Sequence, residues 1–375
     1  MLTSIAKPAV LFLGTVLSLH YTVAAQVVST DVSLTIPFRP SVVRTVSGKA
    51  IVYELHVHNP AKKSAPQIAR VDVFDSDTSK LIVRVEGNEL GRSLAKEGSL
   101  INPSYLGPSG RAVIYLWIAP DKMRLPKHLR HRVYFSGVPM TYVDSLAVDV
   151  DSKTLVLGPP VRGDNWYVGQ GPANDAMHRR FIFPFDGTRP RLSQRFAIDI
   201  GRVAGKSENF VETRGDPKEN RSWVVYGTPV IAVADGKVRA VRDEIAENVP
   251  QSGTFAVPIN LETNTGNRVI LDIGGGEYVL YGHLRPGSIK VQVGDRVIRG
   301  QVLGEIGNSG RSSGPHLHFQ VMDAPSPMDA EGLPFVFERF MILGTCGETD
   351  CTPSTPSLVQ QSLPVSGQLL SFPER

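Results

Sequence analysis

From about Val27 to Leu157 the chain alternates apolar and polar residues at period two in short runs. They include Asp31-Val32-Ser33-Leu34-Thr35-Ile36, Ala50-Ile51-Val52-Tyr53-Glu54-Leu55-His56-Val57-His58, Ala69-Arg70-Val71-Asp72-Val73-Phe74, Arg111-Ala112-Val113-Ile114-Tyr115-Leu116-Trp117-Ile118 and His131-Arg132-Val133-Tyr134-Phe135. Every second residue turned to a core marks a strand with one dry face, and Gly, Pro, Asn and Asp between the runs supply turns. About seven such strands predict an antiparallel sandwich of immunoglobulin-like architecture over residues 26–157.

The stretch from Gly158 to Asn174 is rich in Gly, Pro and Asn, so residues 158–180 are expected to connect two domains. Strand patterns resume at Phe181 with tighter turns. Val230-Ile231-Ala232-Val233 is expected to meet Lys237-Val238 across Ala234-Asp235-Gly236, and Val269 to Ile273 to meet Tyr278 to Tyr281 across Gly274-Gly275-Gly276. A second all-β domain is therefore expected over residues 181–344. Residues 345–375, rich in Pro, Ser and Gln, read as a flexible tail.

Composition changes this picture little: 41 % hydrophobic and 20 % charged residues belong to folded protein, and a net charge of +4 is too thin and too dispersed to point to nucleic acid. The first 25 residues carry Lys7, an apolar run from Pro8 through Leu19, and Ala24-Ala25, the pattern of a secretory signal cleaved after Ala25. That run of about a dozen residues is short of the ~20 a spanning helix needs, and no later stretch is long and apolar enough to span a bilayer. A secreted or periplasmic, wall-associated protein is expected. Cys346 and Cys351 would then close a local disulfide, since no His lies near them to complete a metal site or a catalytic thiol.

The chemistry-bearing motif is Gly314-Pro315-His316-Leu317-His318-Phe319, whose histidines at i and i+2 share one strand face. His56-Val57-His58 has the same spacing without an accompanying carboxylate or glycine-shaped loop, and reads as a solvated strand face. Lys127-His128-Leu129-Arg130-His131-Arg132 reads as a solvated loop and strand end, and Ser309, Ser312 and Ser313 as loop serines, because no nucleophile elbow is present.

Around the His pair stand, in order, Tyr226-Gly227-Thr228-Pro229-Val230, Ala234-Asp235-Gly236-Lys237-Val238, Tyr281-Gly282-His283-Leu284, Val293-Gly294-Asp295-Arg296-Val297, Arg299-Gly300-Gln301-Val302-Leu303-Gly304 and Gly307-Asn308-Ser309-Gly310. This set closely resembles the catalytic domain of the lysostaphin or LytM type of zinc endopeptidase, which cuts peptide bonds in peptidoglycan. The resemblance runs from about Gln194 to Val321 and implies a barrel-like antiparallel β-sandwich, the duplicated hybrid motif fold. It implies that Asp199 and His318 are zinc ligands, that His283 and His316 are catalytic and flank the attacking water and the scissile carbonyl, and that the partners are peptidoglycan peptides. Zinc takes nitrogen and oxygen donors and leaves one position open, and histidines beside it can move a proton or stabilise an oxyanion.

One position departs from the family pattern. The first ligand is a His four residues before the Asp, and here that position is Arg195, whose guanidinium has no lone pair to offer. Three accounts stay open. The domain has lost catalysis and binds wall peptides or activates another hydrolase; or His178, or a carboxylate among Glu208, Glu212, Asp216 and Glu219, replaces the ligand; or zinc is held weakly by Asp199 and His318.

Overall fold

The computed structural model describes residues 31–62, 66–96, 106, 108–119, 124–136, 140–184, 190–204, 211–347 and 349–373; the expected signal at residues 1–25 and Glu208 lie outside them. The chain is all-β. Strands Ser33–Thr35, Ser41–Thr45, Gly48–His58, Leu94–Lys96 and Arg111–Ile118 form one antiparallel sheet. Ile68–Asp75, Leu81–Glu86, His128–Phe135, Thr141–Asp144 and Val148–Asp149 form the sheet stacked on it.

Both long strands of the first sheet are buried on two faces, and their period-two patterning separates two cores. From Gly48–His58, the side chains of Ile51, Tyr53, Leu55 and Val57 pack with Val71, Val73 and Val133 inside the sandwich. Ala50 and Val52, on the opposite face, join Phe335, Phe337 and Phe340 in the core of the C-terminal domain. Arg111–Ile118 does the same: Ala112, Ile114 and Leu116 face the sandwich, while Val113 and Tyr115 meet Ile182 and Leu192. At about 1.5–3 kcal/mol for each large apolar side chain so buried, the outer faces of these strands bind the two domains into one packed body. Glu54 shares the parity of Ala50 and Val52, so it is aimed at the C-terminal domain.

The C-terminal domain is built on an eleven-stranded sheet. Its central neighbours are Gly163–Gln170, Ile198–Arg202, Leu317–Met322, Tyr278–Leu284, Asn267–Asp272 and Gly236–Arg242 in that spatial order. The expected connector is not a loose linker: Gly163–Gln170 pairs with Ile198–Arg202 on one side and Gln368–Phe372 on the other. The expected flexible tail is likewise paired, Cys351–Ser362 and Gln368–Phe372 both lying against Phe335–Cys346. Polar composition misled there because Cys351–Ser362 presents most of its length to solvent while its backbone is satisfied by its neighbour. The disulfide Cys346–Cys351 closes the turn between these strands.

Of the two expected hairpins, the one across Gly274-Gly275-Gly276 forms, with Asp272 opposite Tyr278 and all three glycines at positive φ. The one across Ala234-Asp235-Gly236 does not. Pro229–Ile231 pairs with Val302–Glu305 in a separate two-stranded sheet, and Gly236–Arg242 pairs with Asn267–Asp272. The Asp-Gly turn therefore carries the chain from one sheet to the next. Among the described residues no helix is long and apolar enough to cross a membrane.

Candidate metal centre and active site

Three adjacent strands assemble the site. In the register of Ile198–Arg202 against Leu317–Met322, Asp199 lies directly opposite His318, and on the other side His318 lies opposite Gly282. A Cβ at Gly282 would come within 3.4 Å of the Cβ of His318 and 3.0 Å of the Thr265 carbonyl, so the glycine leaves room for the ring. His283 follows with φ of 59°, an uncommon conformation for a residue with a side chain. Gly314 is required for a similar reason: a Cβ there would lie 2.7 Å from the Trp223 ring, and this close approach seats the loop that delivers His316.

The structure brings together all four residues expected from sequence. His318 Nδ1 lies 3.0 Å from Asp199 Oδ1 and His316 Nε2 lies 3.6 Å from the same oxygen. The His283 and His316 ring centroids are 4.7 Å apart. A fifth residue joins them: His178, on the short helix Met177–Arg180, places Nε2 3.3 Å from Asp199 Oδ2. Donor atoms of His178, Asp199 and His318 all lie within 4.8 Å of one another, a nitrogen, oxygen and nitrogen set of the kind zinc accepts. Among the described residues, the other candidates for the missing ligand have partners of their own. Glu212 accepts the Tyr167 hydroxyl, Asp216 caps the backbone of Lys218, and Glu219 pairs with Arg221 on the surface.

Arg195 does not face the cluster as a free positive charge. It is buried, with Nε donating to Glu54 at 2.8 Å, one terminal nitrogen donating to Glu331 at 2.9 Å and the other to the Gly332 carbonyl at 3.2 Å. Its positive charge is met by two carboxylates.

Hydrogen bonds orient the rings of the site histidines. Gln320 donates its Nε2 to the Pro327 carbonyl, which turns its Oε1 to His318 Nε2 at 2.8 Å, while His318 Nδ1 faces the Asp199 carboxylate at 3.0 Å. Both partners accept, so a cation held between Nδ1 and Asp199 would leave the ring proton on Nε2, donated to Gln320. His283 donates Nδ1–H to the Ser309 carbonyl at 2.7 Å, and His316 donates Nδ1–H to the Gly314 carbonyl at 2.8 Å. Each therefore keeps Nε2 for chemistry. Ser309 serves only this scaffold, since its hydroxyl accepts from Asn267 N–H and donates to the Leu284 carbonyl.

The electrostatics follow from burial and mutual contact. Burial opposes the charge on Asp199, but the His178 and His316 rings outweigh it and hold its carboxyl well below the usual carboxylate range. Burial drives His283 well below an ordinary imidazole, with His316 and His318 adding to the effect. Burial lowers His318 too, partly offset by Asp199. Burial also works against protonating His316, yet Asp199 and the Gly314 carbonyl carry its pKa upward. An open cleft above this cluster is lined by Met177, Phe181, Phe255, Asn264, Arg311 and Ser313.

His56 and His58 stay half-exposed on their strand. The basic run at 127–132 is not wholly solvated: His131 is fully buried and takes the Tyr53 hydroxyl at Nε2, 2.7 Å away. Gln320 and Glu54 escaped the sequence reading; the only signal for either was a polar residue inside an otherwise apolar strand.

The profile of Peptidase family M23 matches residues 223–330, which contain His283, His316 and His318 but begin after His178 and Asp199. Peptidoglycan DD-endopeptidase ShyA of Vibrio cholerae is 35% identical over 149 residues, 37% of this chain and 29% of that protein. Glycyl-glycine endopeptidase ALE-1 of Staphylococcus capitis is 36% identical over 97 residues, 26% of this chain and 22% of that protein. Among solved structures, the catalytic domain of lysostaphin from Staphylococcus simulans is similar at 22% identity, over 45% of this chain and 88% of that one, with a TM-score of 0.25. Over residues 223–330 the chain carries a Peptidase M23 domain. Its match spans 29% and 22% of the lengths of these two curated relatives. Peptidases of this family are zinc-dependent.

Proposed function

We propose that the protein is a zinc endopeptidase of the cell wall that hydrolyses peptide bonds in the stem or bridge peptides of peptidoglycan. The observation that carries this reading is the convergence of His178, Asp199 and His318 within 4.8 Å, which supplies three protein donors in spite of Arg195. The residues fit the ion: the set has the nitrogen and oxygen character zinc takes, and Gln320 stands ready to accept the His318 ring proton at Nε2 when a cation takes Nδ1. Bound zinc supplies Lewis-acid chemistry suited to amide hydrolysis.

The chain's own groups do the rest. His283, neutral through burial and anchored at Nδ1, accepts at Nε2 the proton of the attacking water. His316, biased towards protonation by Asp199, donates from Nε2 to the carbonyl oxygen as negative charge develops there. The cleft above them holds the peptide. The secretory pattern of residues 1–25 and the disulfide Cys346–Cys351 support action in an oxidising compartment outside the cytoplasm. The sandwich, residues 158–373 and the site are read as one working unit.

Zinc content of the purified protein, measured beside release of peptide fragments from peptidoglycan, tests the reading. The expected result is one zinc per chain and cleavage that disappears in His316→Ala while the metal is retained. A protein that binds no zinc and releases no fragments would instead be a wall-binding or hydrolase-activating domain.

A further inference from the structure

We propose that Glu54 of the N-terminal sandwich is a positioning residue for the metal site, acting through Arg179 on His178; this rests on the zinc reading above. His178 has little to hold its own ring. Its Nδ1 is buried without a hydrogen-bond partner among the described residues, whereas His318 has Gln320 and His283 has Ser309 in the equivalent supporting role. Its helix, Met177–Arg180, is a single turn without a side-chain cap, too short to be stable by itself. What places His178 must therefore be its neighbours on that turn.

Arg179 is that anchor. It is fully buried, and its guanidinium donates to Glu54 Oε1 at 2.9 Å, Asn174 Oδ1 at 2.6 Å, the Tyr53 carbonyl at 2.8 Å and the Leu116 carbonyl at 3.0 Å. Three of those four acceptors belong to the sandwich. Arg180 adds a second tie, donating to the Leu94 carbonyl at 3.0 Å with its guanidinium 4.2 Å from the Tyr115 ring centroid.

The other oxygen of the same carboxylate, Glu54 Oε2, takes Arg195, four residues before Asp199. One buried carboxylate thus holds the residue beside one candidate ligand and the entry to the strand that carries another. A fork of fixed N–H directions makes such contacts specific in angle as well as distance. The sandwich is in this respect a part of the metal site, and Arg195, in the place of a ligand, has become one of its fasteners.

The test uses the full chain. Metal is stripped with a chelator, secondary structure and thermal unfolding of the metal-free protein are recorded, and Zn²⁺ and Co²⁺ are then titrated into wild type, Glu54→Gln, His178→Ala and the double variant. Glu54→Gln is expected to fold, to bind metal about 10–100-fold more weakly, as supporting residues of metal ligands do, and to change the cobalt absorption spectrum. In the His178→Ala background the same substitution is expected to cost clearly less than in wild type, because the part of its effect that passes through His178 is gone and only the part that reaches Asp199 through Arg195 is left. Unchanged affinity and spectrum in Glu54→Gln, or a full additional loss in the double variant, overturns the proposal. Arg179→Lys keeps the charge opposite Glu54 and removes the fork, and is expected to weaken metal in the same way. If both variants leave the metal-free chain unfolded, Glu54 serves the fold at large and the proposal fails. A wild type that binds no metal overturns the zinc reading as well, whereas metal binding indifferent to Glu54 overturns this inference alone.

Discussion

Arg195→His restores, on paper, the ligand that the family pattern calls for, and the structure predicts that it damages the protein instead. Glu54, Glu331, Arg179 and Arg195 are all buried, two carboxylates against two guanidinium groups. Neutral imidazole at position 195 leaves this cluster with one uncompensated negative charge and removes the donors to Glu54, Glu331 and the Gly332 carbonyl. Removing one partner of a buried ion pair typically costs about 3–5 kcal/mol, because the remaining charge stays desolvated. At about 2.1 cal/mol/K of unfolding entropy per residue, a packed body of about 340 residues loses roughly 1.4 °C per kcal/mol, so the thermal midpoint of the metal-free chain should fall by roughly 4–7 °C. Thermal unfolding in chelator, followed by zinc titration, is the assay. The expected outcome is a lower midpoint and no gain in zinc affinity, with Arg195→Lys in between. A variant with an unchanged midpoint and tighter zinc binding would refute the reasoning, since Arg195 would then be a lost ligand and nothing more.

Gln320→Leu deprives His318 Nε2–H of its acceptor and should weaken zinc about 10–100-fold with little change in fold, measured by competition with a chromophoric chelator. His131 is held neutral in the sandwich core, its pKa pushed down to about 3 by burial. Unfolded chain therefore binds a proton there between about pH 6.5 and 3 that the folded chain does not, so stability falls as pH drops through that window, by roughly 5 kcal/mol at its lower end. In His131→Gln, which cannot titrate, denaturant midpoints should decline less steeply over that range; an identical slope would sink the assignment. Cys346→Ser with Cys351→Ser opens a link between residues five apart, worth about 2 kcal/mol of loop entropy, and should lower the thermal midpoint without altering zinc affinity.

The strands of the sandwich were legible because period-two alternation is a local signal: Gly48–His58 and Arg111–Ile118 are close to the runs read from sequence. His316 and His318 were legible because residues i and i+2 of a strand share a face, whereas Asp199 and His283 were reached only through the resemblance to the lysostaphin type of peptidase, since residues on different strands carry no local signal of their meeting. His178 was different. It was one candidate among five, and nothing local separates it from the rest, since its place depends on pairing between Gly163–Gln170 and Ile198–Arg202 and on an arginine bound to a carboxylate 125 residues away. The tail was misread for a related reason. A strand of Ser, Thr, Pro and Gln has no hydrophobic signature when its backbone pairing, and not its side chains, holds it in place.

On the zinc reading proposed above, Arg195 and His178 depend on the same contacts. A guanidinium cannot sit unpaired in a dry core, so Arg at position 195 is tolerable only with Glu54 and Glu331 in reach, and Glu54 can reach it only if the outer face of strand Gly48–His58 is packed on the C-terminal domain. The same packing presents the second oxygen of Glu54 to Arg179 and so fixes the turn that carries His178 to Asp199. On that reading, an arginine at 195 and a ligand at 178 therefore require the same interface. The M23 profile covers only residues 223–330, but the site that the structure brings together extends beyond them, to a strand beginning at Gly48. Cutting the chain to the residues that resemble the family should leave the histidine pair intact and the metal site incomplete.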